Sequence, residues 1–158
     1  MLVIADASPL RYLIDIGQHE LLPSIFREVW VPSAVISELT DSSTPESVRS
    51  VIENRPAWLI VRDPEASAIL EISPELDGGE RAALALAREL HADLVLIDDA
   101  AGRREAASLG IRITGTLGVL RVAAERGLID VRSVLDRLRS SGFYIHESVV
   151  RAAFQQWL

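Results

Sequence analysis

The sequence predicts an α/β fold built on a parallel sheet. Short apolar runs, typical of buried strands, alternate along most of the chain with amphipathic segments, typical of helices. Strands that alternate with helices are joined by helical crossovers, which are right-handed in nearly all known cases. With 158 residues and no internal repeats, the chain has the size of one ordinary domain with a full core. We therefore expect a single domain over residues 1–158.

Five strands are predicted, at residues 2–5, 28–31, 59–61, 94–97 and 111–114. The first and the fourth are wholly apolar, as central strands of a parallel sheet are, and an aspartate ends each of them. Between the strands we predict helices at residues 9–16, 20–26, 46–54, 79–90 and 100–109, with one more that opens at 32–33. Ser8 supplies an N-cap for the first helix, and Pro9 occupies its first position. Residues 63–74 are ambiguous, and we predict mostly loop there.

The last third of the chain changes character and is predicted to be helical. Residues 116–126, 131–140 and 147–158 form helices, so the chain ends in a helical extension from about residue 127. The last helix carries a continuous apolar face made of Val149, Val150, Ala153, Phe154, Trp157 and Leu158. We expect this face to pack on the body of the domain, with a dimer or partner surface as the alternative.

The composition excludes several kinds of chemistry. Cysteine and lysine are both absent, which excludes disulfides, thiolate metal sites, lysine phosphate loops and Schiff-base mechanisms. The three histidines show no metal-ligand spacing, and no serine lies in a nucleophile elbow. A formal charge of -7 opposes broad electrostatic binding of nucleic acid, unless divalent cations neutralise an acidic pocket. Without a membrane-length apolar stretch or a basic leader, we expect a cytoplasmic protein with no membrane contact.

Acidic residues recur where predicted strands end or predicted helices open. They are Asp6, Glu38, the segment Asp77 to Glu80, and the pair Asp98 and Asp99. Because the carboxyl ends of parallel strands meet along one edge of a sheet, we expect these carboxylates to share one cation site. Each also has an ordinary alternative: Asp6 in an Asx turn, Asp77 and Glu80 in a capping box, Glu38 as a solvated residue, and Asp98 or Asp99 as a helix cap.

The chemistry that such a site favours is phosphodiester hydrolysis. Magnesium and manganese prefer oxygen ligands and keep open positions for a phosphate and a water molecule. A pair of these ions can stabilise both the attacking and the leaving oxygen. Ser8, Arg103 and Thr116 are candidates for binding substrate, and Arg104, next to Arg103, is a further candidate to hold a phosphate. Their alternatives are helix caps for Ser8 and Thr116, and an ion pair with the acids for Arg103.

Five blocks of sequence resemble the motifs of a PIN-domain nuclease. Residues 4–10 (Ile-Ala-Asp-Ala-Ser-Pro-Leu) resemble its first acidic motif, and residues 31–39 (Val-Pro-Ser-Ala-Val-Ile-Ser-Glu-Leu) resemble its second. Residues 76–80, 96–99 and 113–118 are similar to the remaining blocks. The likeness is to uncharacterised prokaryotic PIN proteins related to the virulence-associated protein C toxins, and with the tail included it covers nearly the whole chain.

This resemblance implies a three-layer α/β/α sandwich that cleaves RNA with Mg²⁺ or Mn²⁺. It also implies a toxin restrained by a small antitoxin protein, and a homodimer, for which Trp157 and Leu158 at the terminus are a further reason. The metal-site and catalytic acids it implies are Asp6, Glu38, Glu80 and Asp99, with Asp98 as an alternative ligand to Asp99 and Asp77 as a further candidate. The third motif departs from the commoner pattern, since it offers a glutamate where an aspartate is usual.

Two hypotheses about function follow from the sequence. The first is a metal-dependent endoribonuclease whose acids meet at the strand ends. The second is a PIN-fold interaction module with weak or no nuclease activity, which acts through its C-terminal apolar helix.

Overall fold

One five-stranded sheet forms the centre of the protein. The computed structural model describes residues 1–158, and its strands are β1 (Val3–Ala5), β2 (Val29–Val31), β3 (Leu59–Val61), β4 (Leu94–Leu96) and β5 (Ile113–Thr114). All neighbouring strands are parallel, and their order across the sheet is β3-β2-β1-β4-β5. The predicted α/β class with a parallel sheet is confirmed, and each strand lies within its predicted range.

Ten α-helices surround the sheet. They are α1 (Ala7–Asp15), α2 (Leu21–Phe26), α3 (Ser33–Leu39), α4 (Glu46–Glu53), α5 (Ala66–Leu70), α6 (Gly78–Leu90), α7 (Ala100–Ser108), α8 (Thr116–Glu125), α9 (Val131–Ser140) and α10 (Glu147–Phe154), and a 3₁₀ turn (Gln155–Trp157) follows the last. The longest, α6, has 13 residues, and none has the length and apolar character needed to cross a bilayer.

Helix α5 corrects the prediction of mostly loop at residues 63–74. With five residues it is too short to show a helical repeat in the sequence, and none of its residues is fully buried. Arg81 stabilises this segment from α6, because its Nη2 donates to the carbonyl oxygens of Ile69 at 3.0 Å and Ile72 at 3.1 Å. Helix α5 is therefore stabilised by a contact with α6, and no pattern in its own sequence predicts it.

The two faces of the sheet carry separate cores, which gives the three layers. Val3 and Ala5 point to one face, and Ile4 points to the other, as the period of a strand requires. The first face packs in a cluster of 27 buried residues drawn from α1 to α4 and α8 to α10. The second packs in a cluster of 11 buried residues whose helical members come mainly from α6, with one from α7. The predicted α/β/α sandwich is thereby confirmed.

The strand order reverses at β1, and this reversal positions the site. The chain passes from β1 outward to β2 and β3, then crosses back to place β4 on the other side of β1. The two central strands stay paired to their ends, since the backbone N–H of Asp6 donates to the carbonyl oxygen of Leu96 at 2.9 Å. In open α/β sheets a ligand crevice forms at the carboxyl ends of strands where the order reverses.

The C-terminal helices pack on the body of the domain. In α10, Val150 is 1% exposed and Phe154 is fully buried in the larger core, whereas Val149 and Leu158 remain 47% and 44% exposed. At α9, Arg137 Nη1 donates to the carbonyl oxygen of Ile16 at 2.9 Å. The centre of the apolar face of α10 is therefore covered by the protein's own core, and only its margins face outward.

Candidate metal centre

Five carboxylates line one cleft at the carboxyl end of the sheet. Asp6 follows β1, Glu38 lies in the last turn of α3, Asp77 precedes α6, Glu80 lies in its first turn, and Asp99 precedes α7. The cleft has a volume of about 230 Å³, and its other lining residues are Ala7, Ser8, Arg11, Tyr12 and Leu39. The fold thus brings together acids that are separated by up to 93 positions in the sequence.

Three of these carboxylates form the centre of the cleft. Asp6, Glu38 and Asp77 each offer one oxygen, and the three oxygens lie within 4.8 Å of one another. Asp6 is only 5% exposed, and its Oδ1 has no hydrogen-bond donor. Oxygens bound at roughly 2.1 Å to one magnesium ion lie about 3 to 4 Å apart. The donor set therefore fits a hard divalent cation after a small contraction, and a cation would supply the partner that Asp6 Oδ1 lacks.

Glycine at position 79 permits this convergence. A Cβ added to Gly79 would lie 3.0 Å from Glu38 Oε2 and 3.4 Å from Asp6 Oδ1. The first turn of α6 therefore touches the carboxylates directly, with its backbone and the positive end of its helix dipole facing them. Part of the function of the Asp77-Gly78-Gly79-Glu80 segment is steric, since a side chain at 79 would push Glu38 away.

Glu80 is the most buried acid in the cleft apart from Asp6. It is 6% exposed, and no group of the protein donates a hydrogen bond to its Oε2. Burial raises the pKa of Glu80 to about 9, with further contributions from the nearby carboxylates of Asp77, Asp99 and Asp6. Glu80 is therefore protonated at neutral pH while no cation is bound. Gly102 in α7 leaves room for it, since an added Cβ would lie 2.7 Å from Glu80 Oε2.

The other central acids also have raised pKa values. Burial raises the pKa of Asp6 to about 7; the nearby backbone N–H of Ala7 opposes the shift, and the charges of Asp77 and Glu38 add to it. Burial and the charge of Asp77 raise the pKa of Glu38, whereas the charge of Arg11 lowers it. Near neutral pH the cleft therefore holds protons where a cation is absent, and a bound cation would displace them.

Two acids, Asp77 and Asp99, do cap helices, and both also line the cleft. Asp77 Oδ1 accepts the backbone N–H of Glu80 at 2.8 Å, and Asp99 Oδ2 accepts that of Gly102 at 3.1 Å. Each cap engages one oxygen of the carboxylate, and the other oxygen takes no part in the cap. The side chain of Asp6, by contrast, makes no cap to α1.

Asp98 and Asp99 point to different surroundings. Asp98 accepts from Ser8 Oγ, Thr116 Oγ1 and the backbone N–H of Thr116, each at 2.7 Å. Thr116 is fully buried, so in this arrangement both predicted substrate contacts, Ser8 and Thr116, serve to hold Asp98. This brace joins the end of β4 to α1 and α8. Asp99 is the member of the pair that lines the acidic cleft.

Arg11 lies in the cleft and was not predicted from the sequence. It forms no ion pair, its buried Nε has no acceptor, and its guanidinium lies 5.7 Å from the ring centre of Tyr12. Ser8, Arg11 and Tyr12 share one face of α1 by their spacing of three and four residues, which is the signal that could have identified them. Arg103, the predicted phosphate ligand, lies outside the acidic cleft and lines a neighbouring pocket.

The chain belongs to the PIN-domain family. Residues 2–158 match the family described as DUF3368: PIN domain, so the match covers essentially the whole chain and includes every acid of the cleft. PIN domains are generally nucleases, they usually bind a divalent metal, and the family suggests binding of nucleic acid. The fold and its acidic cleft agree with that membership.

A solved structure shares the fold. The chain is similar to the PilT N-terminus domain protein SSO1118 from the hyperthermophilic archaeon Sulfolobus solfataricus P2, with a TM-score of 0.51 and 18% sequence identity. The similarity covers 92% of this chain and 98% of that one. No curated protein matches the sequence.

The raised pKa values predict how the stability of the metal-free protein depends on pH. Asp6 and Glu80 have ordinary pKa values of 3.8 and 4.5 and folded-state values of about 7 and about 9, so the folded protein holds protons that the unfolded chain has released. Their contribution to the free energy of unfolding is therefore complete below the ordinary values and falls as pH rises through the folded ones. Urea unfolding in EDTA at a series of pH values measures this decrease.

Variants assign the decrease to the two groups. Asp6→Asn should make the profile less steep below about pH 7, where Glu80 still contributes, and Glu80→Gln should remove the part that extends to about pH 9. Asp15→Asn is the matched control, because Asp15 ends the same helix that Asp6 precedes and lies outside the acidic cleft. A wild-type profile that is flat or rises over this range would contradict the burial of protonated carboxyl groups.

Proposed function

We propose that the protein is a metal-dependent endoribonuclease that hydrolyses RNA phosphodiester bonds with Mg²⁺ or Mn²⁺. The observation that carries the proposal is the convergence of Asp6, Glu38 and Asp77 to within 4.8 Å at the strand-order reversal. Membership of the PIN-domain family supports a nuclease chemistry for this cleft. The lack of other nucleophilic or cofactor-binding motifs in the sequence favours the same conclusion.

Asp6, Glu38 and Asp77 would hold the metal, with Glu80 and Asp99 beside them in the same cleft. When bound, a divalent cation activates a water molecule and neutralises the charge that develops on the phosphate. Asp98 would have a structural role rather than a metal-binding one, because its three hydrogen bonds join the end of β4 to α1 and α8.

The remaining residues of the cleft bind substrate and hold protons. Arg11 presents the only guanidinium in the cleft, and its lack of an ion pair leaves it available to a phosphate oxygen. In the metal-free protein Glu80 holds a proton at neutral pH, and once a bound cation has displaced that proton the carboxylate, next to Asp77 and Asp99, would be free to accept a proton from the reacting groups. The interaction-module alternative loses the centre of its proposed surface, because Val150 and Phe154 are buried in the core.

RNA cleavage by the purified protein tests the proposal. Single-stranded RNA should be cut in Mg²⁺ or Mn²⁺ and left intact in EDTA, and Asp6→Asn should lower the rate by about 100-fold or more, because it removes the buried central ligand. Gel analysis of end-labelled RNA measures the rate.

Asp15→Asn, which makes the same chemical change outside the acidic cleft, should cleave at the wild-type rate. Manganese should also raise the melting temperature of the wild type more at about pH 8 than at about pH 6, since protons compete for the same carboxylates. Cleavage that continues in EDTA, or in Asp6→Asn, would remove the proposal.

We further propose that the nuclease acts in the cytoplasm as the toxin of a toxin-antitoxin pair and forms a homodimer. The likeness to relatives of the virulence-associated protein C toxins supports this role. Induced expression in a bacterial host should arrest growth, and expression of Asp6→Asn at the same level should not. Sedimentation should give a mass twice the 17.3 kDa of the chain. Equal growth of the two cultures would contradict the toxin role, and a monomer would contradict the dimer.

A further inference from the structure

A second pocket lies directly beside the acidic cleft, across the side chain of Asp98. Its volume is about 230 Å³, and it is lined by Asp98, Arg103, Leu117, Phe143, Tyr144, His146 and Val149. Most of this lining comes from the segment between α9 and α10 and from the start of α10. The C-terminal part of the chain therefore builds a cavity next to the proposed catalytic centre.

Two contacts join the pocket to the cleft. Ser8 lines the cleft and donates to Asp98, which lines the pocket, at 2.7 Å. Tyr12 lines the cleft, and its ring packs edge-on against Phe143 of the pocket, with centroids 4.9 Å apart and planes at 77°. Only one layer of side chains thus separates the two cavities.

The pocket presents an aromatic surface that the protein leaves uncovered. Tyr144 is 83% exposed, and Val149 beside it is 47% exposed. Neither the phenol ring nor the hydroxyl of Tyr144 has a partner within the chain, whereas Phe143, its neighbour, is engaged by Tyr12. An exposed tyrosine on a pocket wall is a surface on which a planar ligand can stack.

Two polar groups of the pocket, Arg103 and His146, are suited to an anion, and a third, the Asp98 carboxylate, already accepts hydrogen bonds from Ser8 and Thr116. Arg103 is exposed and takes part in no ion pair or side-chain hydrogen bond, in contrast to Arg88, Arg121 and Arg139, which all pair with acids. His146 Nδ1 accepts the backbone N–H of Ser148 at 3.3 Å, so the ring carries a hydrogen on Nε2 and has a donor to offer. A guanidinium and a ring N–H donor therefore lie beside the aromatic surface.

We propose that this pocket is a nucleobase subsite for single-stranded RNA, in which a base stacks on Tyr144 and its phosphate binds Arg103. The subsite rests on the proposed nuclease function and extends it, because the strand would continue across Asp98 into the acidic cleft. Aromatic stacking next to a cation is how proteins hold unpaired bases, and a duplex does not offer its base faces. The subsite thereby selects unpaired over duplex RNA for the cleft.

Binding of a short labelled single-stranded RNA tests the subsite. With Mg²⁺ present and in an Asp6→Asn background that prevents cleavage, Tyr144→Ala should weaken binding by about tenfold, whereas Tyr144→Phe, which keeps the ring, should bind like its parent. Arg103→Ala should weaken binding and reduce the slope of log affinity against log salt by about one. Arg104→Ala is the matched control, since Arg104 is the next residue of α7, is exposed and lines neither cavity. Fluorescence anisotropy gives these affinities.

Several outcomes would overturn the subsite. They are equal binding by Tyr144→Ala and its parent, equal effects of Arg103→Ala and Arg104→Ala, or a loss of duplex binding in Tyr144→Ala as large as the loss for single strands. A dimer that dissociates in Tyr144→Ala while RNA binding is unchanged would assign the pocket to a second copy of the chain instead.

The wild-type cleavage assay separates this inference from the proposed function. Cleavage of RNA together with unchanged binding by Tyr144→Ala would remove the subsite and leave the nuclease. Weakened binding by Tyr144→Ala together with no cleavage in any metal would leave the subsite and remove the nuclease.

Discussion

An excess of negative charge at the strand-order reversal is the constraint on which the rest of this structure depends. Five carboxylates share the cleft with one guanidinium, that of Arg11, and the buried Oδ1 of Asp6 has no donor. Protein groups do not neutralise this charge, so the folded chain must take up protons or a cation. In the metal-free protein this need is met by protons, which is why the pKa values of Asp6 and Glu80 are raised.

Backbone geometry, more than side-chain choice, creates this concentration of charge. Pairing of β1 with β4 brings Asp6 and the Asp98-Asp99 pair to one edge, and the glycines at 79 and 102 let two helix starts approach the carboxylates. The hydrogen bonds of Asp98 then fix the end of β4 against α1 and α8. Stability and function are linked here, because the same close approach that costs free energy without metal forms the set of oxygens that a cation needs.

The fold and the convergence of the acids were predictable because both follow from repeats and strand ends. An apolar run that stops at an aspartate places that aspartate at the carboxyl edge of a parallel sheet, wherever its partners lie in the sequence. The sequence did not predict which of Asp98 and Asp99 would face the cleft. The directions of their side chains depend on the backbone angles after β4, which the sequence does not show. The pocket at Tyr144 was missed for a related reason: its neighbours come from distant segments, and Phe143 meets Tyr12 only in the folded chain. Arg11, by contrast, could have been found from its helical spacing with Ser8 and Tyr12.

The location of bound manganese tests the central claim most directly. The experiment is anomalous diffraction from crystals grown with Mn²⁺ at about pH 8, where Asp6 with its pKa of about 7 is mostly ionised. It should show an ion contacted by Asp6, Glu38 and Asp77, with Asp99 and Glu80 nearby. Asp98 should still accept hydrogen bonds from Ser8 and Thr116. An acidic cleft that contains no manganese under these conditions, or an ion bound elsewhere on the protein, would contradict the account.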